Sequence, residues 1–441
     1  MAEQSVEKKG FMSWYFGSNL LLRISIGMIA GAVIGIFLAY TPSLAGSFVA
    51  YTKFFGDIFI RLLKMIVVPV IFFSLITGAA GVDPARLGRV GLKTLLFYFI
   101  LVLVALSIGL TMANFFKPGD GLNLAANAAV QGKTAAAPPL STIFLNIVPT
   151  NPFEALTKGD VLPIIFFALV FGISLSILRD CSEERLSKPA DALYHMCAAC
   201  AETMYMLVGG IMQYAPIGIF VLVSNVFAIQ GPKVVGPLIF ILGIAYLSFA
   251  IHIIVGFGGA LVLSGLSFGK FLRGAQEAMI TAFVTRSSNA TLPVSMRVSE
   301  ENLGVPRSIS SFTLPIGATI NMDGTAIYLC LCSMFIGFAT GAPLTFDQQV
   351  KVMITASLGA VGAAGVPGAG VIMLLMVLES VGIKIETGTA VAAAYAMMIG
   401  IDAIMDMGRT CLNVTGDIVA AVVVAKHEKE LDASKWSAAE N

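Results

Sequence analysis

The sequence predicts an all-α polytopic membrane protein of eight transmembrane helices plus two re-entrant helical hairpins, and three observations predict it. Of 441 residues, 57% are hydrophobic and only 12% charged, about half the roughly 25% charge of an ordinary soluble chain. Ten apolar segments are each long enough to enter a bilayer, which takes ~20 residues to cross. Two of the ten are broken in their middles by residues that a lipid-exposed backbone cannot tolerate. The net charge of +1 gives no footprint for nucleic acid or for a polybasic membrane-surface role.

Residues 1–18 read as a cytoplasmic N-terminus that carries Lys8 and Lys9. The first span, Leu20 to Tyr40, is too long for a signal-peptide core and lacks a small-residue cleavage site at the right distance. Further spans follow at Phe48 to Ala79, Val90 to Phe116, Leu162 to Leu178, Ala192 to Ile229 and Pro237 to Leu266. The segment Phe271 to Val298 is interrupted by Arg286-Ser287-Ser288-Asn289. The segment Val350 to Val381 is interrupted by Gly362 to Gly368, which includes Val366 and Pro367. Broken backbone survives at membrane depth only inside protein or beside a watery cavity, so both segments read as hairpins. Paired interrupted segments also point to a transporter's binding site. The spans Pro306 to Thr340 and Thr389 to Ala425 complete the set.

Positive charge sets the orientation. With the hairpins entering from opposite sides, Arg86, Arg89, Lys93, Arg179, Arg185, Lys188, Lys270, Arg273, Arg297 and Arg307 all fall on the cytoplasmic face with both termini. External loops keep scattered lysines such as Lys117, Lys133, Lys158 and Lys233, as the positive-inside rule requires. The stretch Gly119 to Pro139 reads as an external flexible loop. Cys197 and Cys200 form a C-x-x-C without a second pair, so they read as small buried residues rather than a zinc set. His252 reads as bonded to a neighbouring backbone carbonyl, and Arg61 and Lys64 as snorkelling side chains.

The costly residues are those inside apolar segments. Asp402, Asp406, Arg409, Asn413 and Asp417 recur at spacings of four, three, four and four, one face of a helix. An ionised group at mid-bilayer costs about 2.5–3.5 kcal/mol on insertion scales. An Asp406–Arg409 pair that merely neutralised itself would leave Asn413 and Asp417 unexplained, so the face reads as the lining of a cavity for a zwitterionic solute and cations. Asn321-Met322-Asp323-Gly324-Thr325 breaks the preceding span with poor helix formers. Its carbonyls, with Asn321 and Asp323, suit a hard cation. Ser287, Ser288 and Asn289 offer donors at a half-helix start, an anion site.

These motifs carry a resemblance. Thr285-Arg286-Ser287-Ser288 with Thr291-Leu292-Pro293, then Asn321 to Thr325, Gly365-Val366-Pro367-Gly368-Ala369-Gly370 and Asp406 to Asp417 stand in the order and separation of the glutamate transporter family of dicarboxylate/amino acid:cation symporters, in its prokaryotic branch. The chain resembles that family over nearly its whole length. The resemblance implies an elevator fold and a homotrimer in the inner (plasma) membrane. Residues 19–270 would be mostly scaffold, with spans 3 and 6 joining the transport domain. Residues 271–425 would be the core transport domain and 426–441 a cytoplasmic tail. Arg409 would take the substrate's side-chain carboxylate, with Thr325 assisting, and Asp406 the α-amino group. Asn413 and Ser288 would take the α-carboxylate, with Ser287 beside them and Thr410 completing the pocket. Val366 and Gly370 would close over the substrate, with Arg286 and Pro367 as gating or charge partners.

The resemblance also implies cation sites. One would use Gly317, Asn321, Asn413 and Asp417; a second, Thr319, Ala360, Val361 and Ala363; a third, Tyr98, Asn321 and Asp323 with two hydroxyl residues after the tyrosine. The chain departs from the pattern there, because Leu101 and Val102 stand where those hydroxyls belong. The expected function is sodium-coupled uptake of aspartate or glutamate, with proton coupling or a C4-dicarboxylate substrate as the alternatives. An intramembrane aspartyl hydrolase using Asp323 and Asp406 fits poorly, since Arg409 is incompatible with a carboxylate pair sharing a proton. A passive channel suits this pocket less well than occlusion does.

Overall fold

The computed structural model describes residues 18, 20–81, 90–122, 124, 145, 147–360, 368–386, 389–432 and 434–435. Among them every regular element is a helix, as expected where each backbone group must be satisfied within its own segment. The elements are α1 (Leu20–Ala39), α2 (Pro42–Ala80), α3 (Leu92–Phe116), α4 (Pro152–Lys158), α5 (Val161–Arg179), α6 (Glu184–Gln230) and α7 (Val235–Ile251). A π-turn, His252–Gly258, joins α7 to α8 (Gly259–Leu263). After it come α9 (Phe268–Thr285), α10 (Ser288–Glu301), α11 (Arg307–Ile320), α12 (Asp323–Ala339), α13 (Phe346–Ala360), α14 (Ala369–Ser380) and α15 (Ala390–His427).

Among the described residues six helical stretches are long and apolar enough to cross a membrane. One of them, Glu184–Leu263, runs 80 residues and contains two of the expected spans, joined by a 3-10 turn at Gly231–Val234. Helix α5, Val161–Arg179, is a further apolar helix of 19 residues. Helix α6 begins at Glu184, upstream of the expected Ala192, because the polar turn Glu184 to Ala190 continues the helix ahead of its apolar part. Helix α4 was not foreseen. It is a short amphipathic turn, capped by Asn151, whose side chain accepts from the amides of Phe153 and Glu154.

Two groups of helices pack separately and then meet. In the first, α1 and α2 lie on α6, and α2 on α5. Contact between α1 and α6 is backbone to backbone. A Cβ at Gly27, Gly31 or Gly35 would stand 2.5–2.6 Å from the carbonyl oxygens of Pro216, Phe220 and Ser224. Small residues one turn apart admit that approach in lipid, where packing replaces the hydrophobic effect as the driving force. In the second group, α12 packs on α3 and α15, while α9, α10 and α11 gather around α15. The groups meet where α14 touches α2 and α15 touches α6. Lys64 bridges them: its Nζ donates to the Ile385 carbonyl at 2.5 Å. It is therefore a fixed contact rather than a snorkelling side chain, whereas Arg61 is exposed.

The breaks fall where the polar residues predicted them. Helix α9 ends at Arg286, which adopts the left-handed conformation (φ 54°) and donates its amide to Ala282. Ser287 then caps α10, its Oγ accepting from the Ala290 amide at 3.2 Å. Asn321, in an extended conformation, and Met322, in a non-helical one, separate α11 from α12. The tip of the second hairpin lies outside the described residues. Cys197 is buried and Cys200 half-buried, both as free thiols. His195 stands exposed beside Asp191, and His427 is exposed at the end of α15. Beyond α15 the chain folds back. Glu428 pairs with Lys93, Leu431 packs on the core, the Asp432 amide donates to Gly304 at 2.9 Å, and Lys435 donates to the Glu300 carbonyl.

Candidate substrate and cation site

The site is built where the two broken helices cross α15. Asp402, Asp406, Arg409, Thr410, Asn413 and Asp417 are all at least nine-tenths buried, so the polar stripe read from the spacing faces protein rather than lipid. Arg409 donates to Asp406 Oδ1 through Nε at 3.1 Å and Nη2 at 2.6 Å, and through Nη1 to Asp402 Oδ1 at 3.3 Å. Its guanidinium lies 4.5 Å over the ring of Tyr328, a cation–π contact. Thr410 Oγ1 donates to the same Asp406 oxygen at 3.3 Å. Asp406 Oδ2 is buried without a hydrogen-bond partner among the described residues. A carboxylate with one oxygen tied and one open is set to receive a further donor.

The Asp406–Arg409 ion pair is thus formed, yet it is not self-contained. Sequence reasoning placed Asp402 on the polar face without a role; its seven-residue separation from Arg409, two helical turns, was the available signal. Tyr328 was missed altogether, because an aromatic on an apolar helix carries no mark of its neighbour. Gly370 lies directly against the arginine: a Cβ there would stand 1.8 Å from Arg409 Nη1. Arg286, at the first hairpin's break, is within electrostatic reach of Asp402, and α9 and α10 both pack on α15. Ser288 is buried at the first turn of α10.

The break in the other helix supplies oxygen. Asn413 Oδ1 accepts from the Gly324 amide at 2.7 Å, and Asn413 Nδ2 donates toward Thr325 Oγ1 at 3.4 Å and Met322 Sδ at 3.1 Å. Asn321 Nδ2 donates to Asp417 Oδ1 at 3.0 Å. Tyr98 donates to the Thr313 carbonyl at 3.0 Å. A Cβ at Gly317 would meet Asp417 Oδ1 and Tyr98 Oη at 2.5 Å each, so glycine alone lets these three elements converge. Asn321 Oδ1 and Asp323 Oδ1 are buried with no hydrogen-bond partner among the described residues. An all-oxygen set of this kind suits a hard cation rather than a transition metal. The structure therefore brings together Gly317, Asn321, Asn413 and Asp417, and places Tyr98, Asn321 and Asp323 beside them. Leu101 and Val102 are buried in α3 and add no oxygen.

The remaining expected ligands are less concentrated. The Thr319 hydroxyl turns back on its own helix to Ile316, which leaves its carbonyl. Ala360 is the last residue of α13. Val361, Ala363, Val366 and Pro367 lie outside the described residues. One expectation is corrected. His252 does not bond a backbone carbonyl; its Nε2 lies 3.2 Å from Asp323 Oδ2, both residues fully buried. Seventy-one positions separate the two, so no local pattern could have joined them.

The arrangement resembles known transporters along its whole length. The chain is 35% identical over 430 residues to the proton/glutamate-aspartate symporter of Escherichia coli (strain K12), covering 95% of this chain and 94% of that one. It is 34% identical over 425 residues to the proton/sodium-glutamate symport protein of Geobacillus stearothermophilus, covering 95% and 96%. It is 33% identical over 444 residues to the C4-dicarboxylate transport protein of Sinorhizobium medicae (strain WSM419), covering 99% and 92%. Residues 20–427 match the pattern that defines a family of transporters, and with its polar stripe buried among broken helices the chain belongs to the sodium:dicarboxylate symporter family.

Proposed function

We propose that the chain is a secondary active symporter that takes up aspartate or glutamate, driven by cations with sodium first among them. The observation that carries this reading is the half-used carboxylate of Asp406. One oxygen is held by Arg409 and the other is buried without a partner, so an ammonium and a carboxylate can be received side by side. A guanidinium matches a carboxylate bidentately, and an open aspartate oxygen matches an α-amino group. In this reading Arg409 and Thr325 hold the side-chain carboxylate, and Asn413 and Ser288 the α-carboxylate, with Ser287 and Thr410 adjoining. Gly370 lets the second hairpin close on them with Val366 and Pro367, and Arg286 balances charge at the first hairpin.

Sodium ions are cargo, taken at Gly317, Asn321, Asn413 and Asp417, and at the carbonyls of Thr319, Ala360, Val361 and Ala363. Coupling requires that cation and substrate binding favour each other, and Asn413 serves both sites. The packing of α1, α2, α5 and α6 apart from α9–α15 supports a scaffold and a transport domain, the latter carrying α3 and α7 and moving as an elevator. We read the protein as a homotrimer in the inner membrane, with eight spans, two hairpins and both termini cytoplasmic.

One observation favours a second reading. Leu101 and Val102 withhold the oxygens that a third sodium would need, which suits proton coupling, and one relative is named for C4-dicarboxylates. The test is uptake of radiolabelled L-aspartate into proteoliposomes, first with an inward sodium gradient and then with a proton gradient alone. Sodium-driven uptake is expected, inhibited by glutamate. Uptake under neither gradient overturns the proposal, and uptake with protons alone selects the second reading.

A further inference from the structure

Asp323 and His252 meet in a sealed part of the core, neither exposing any surface. His252 opens the π-turn His252–Gly258, a widening of the helix found mostly at functional positions. Two neighbours fix its ring. Phe257 stands edge-on at 4.6 Å and 72°, and a Cβ at Gly256 would lie 2.8 Å from both Nδ1 and Cε1. Nδ1 has no partner among the described residues. A bare ring nitrogen tolerates this better than a buried N–H does, so the proton sits on Nε2 and His252 donates to the carboxylate. Among the described residues His252 is the one hydrogen-bond partner of the Asp323 side chain.

The other oxygen of Asp323 and the Oδ1 of Asn321 are both buried and unpartnered. They sit two residues apart at an opened helix, and a buried acceptor left without a donor is costly. In α3, Leu101 and Val102 occupy the sequence positions of the missing hydroxyls and offer no donor, and the Tyr98 hydroxyl is spent on the Thr313 carbonyl. We propose that His252 is a positioning residue for a coupling cation: its Nε2–H holds Asp323 Oδ2 so that Oδ1 faces a monovalent hard cation shared with Asn321 Oδ1. One carboxylate charge and two oxygens suit sodium better than a divalent ion, which demands more charged ligands. This rests on the symport reading for the cation's role as cargo, while the site itself is read out by cation binding.

The test is thermal unfolding of the purified full-length protein in detergent, titrated with sodium chloride against choline chloride at constant ionic strength. A ligand that binds the folded state alone raises the unfolding temperature saturably. His252→Leu should raise the sodium concentration for half-maximal stabilisation by about tenfold, and His252→Gln, which keeps an N–H donor, by less than about threefold. Gly256→Ala, which drives a methyl into the ring, should follow His252→Leu. A purely structural histidine would lower the unfolding temperature in choline and leave the sodium midpoint alone. The assignment is overturned if His252→Leu keeps the native midpoint, if His252→Gln is as impaired as His252→Leu, or if sodium does not stabilise the native chain beyond choline. Should His252→Leu fail to fold, the contrast between His252→Gln and Gly256→Ala decides. A chain that binds sodium through His252 yet moves no acidic amino acid refutes the proposed function and leaves this assignment standing.

Discussion

The helices that pack as α1, α2 and α6 and those that gather around α15 obey opposite rules. In α1 several large apolar side chains point outward, with Ile29, Val33 and Phe37 all more than half exposed. Its closest contact, with α6, is made at three glycines. Around α15 the polar residues turn inward instead: Asn321, Asp323, Asp402, Asp406, Arg409, Asn413 and Asp417 are buried. Within Arg307–Ala339, 94% of the most apolar stretch is buried, against 33% within Leu22–Ala39. Lipid solvates apolar side chains as well as protein does, so the first group gains by close backbone contact. The second group must satisfy charge, so it buries what lipid would reject.

That contrast can be broken most forcefully at Arg409. Arg409→Ala leaves Asp402 and Asp406 buried without their cation, a change worth about 3–5 kcal/mol. Uptake of labelled aspartate by the variant should fall at least about a hundredfold. Asp406→Asn removes the open carboxylate oxygen and keeps the shape. Aspartate uptake should drop at least about tenfold, while inhibition by succinate weakens far less. Equal weakening of both would mean that the second group does not read the amino group at this position.

In the first group the damaging change is a small one. Gly31→Val places its Cβ against the Phe220 carbonyl and should cost about 1–3 kcal/mol of stability through overpacking. The unfolding temperature should fall while the substrate concentration for half-maximal uptake stays native. Phe37→Ala removes a far larger side chain from the lipid-facing surface and should cost less than about 0.5 kcal/mol. If Phe37→Ala proves more harmful than Gly31→Val, that face packs against protein rather than lipid.

The smallest effect lies outside the membrane. The Ser434 hydroxyl and amide hold the Asp432 carboxyl below its ordinary value of 3.8. Its folded value is depressed, so the stabilisation is present above 3.8 and fades as pH falls through that lower value. Hydrogen exchange at the Asp432 amide, bonded to Gly304, should be slowed by the same factor relative to an unfolded chain at pH 7 and at pH 5. Ser434→Ala should speed it slightly.

Much of this was legible in the sequence because membrane insertion makes polar residues conspicuous. The breaks at Arg286 and Asn321 stood out against apolar flanks, and the spacing of Asp402 to Asp417 gave the helical face outright. What stayed hidden depends on long-range meetings. His252 reaches Asp323, Lys64 reaches Ile385, and Tyr328 slides under Arg409; none of the three leaves a periodic trace. The start of α6 was hidden for another reason, since a helix that leaves the membrane continues in polar residues that hydropathy passes over. Of the second hairpin's tip, legible as Gly362 to Gly368, residues 362–367 lie outside the described residues.

The left-handed turn at Arg286 has a bearing on how the first hairpin is tuned. A side-chain-bearing residue in that conformation costs roughly 1–2 kcal/mol, which glycine would avoid. Arg286→Gly should therefore relieve the strain of the bend, at some gain in backbone freedom, even as it withdraws a guanidinium from the neighbourhood of Asp402. Local comfort and long-range charge pull against each other at this one position. The hairpin tip holds tension in its backbone while keeping a guanidinium within electrostatic reach of Asp402.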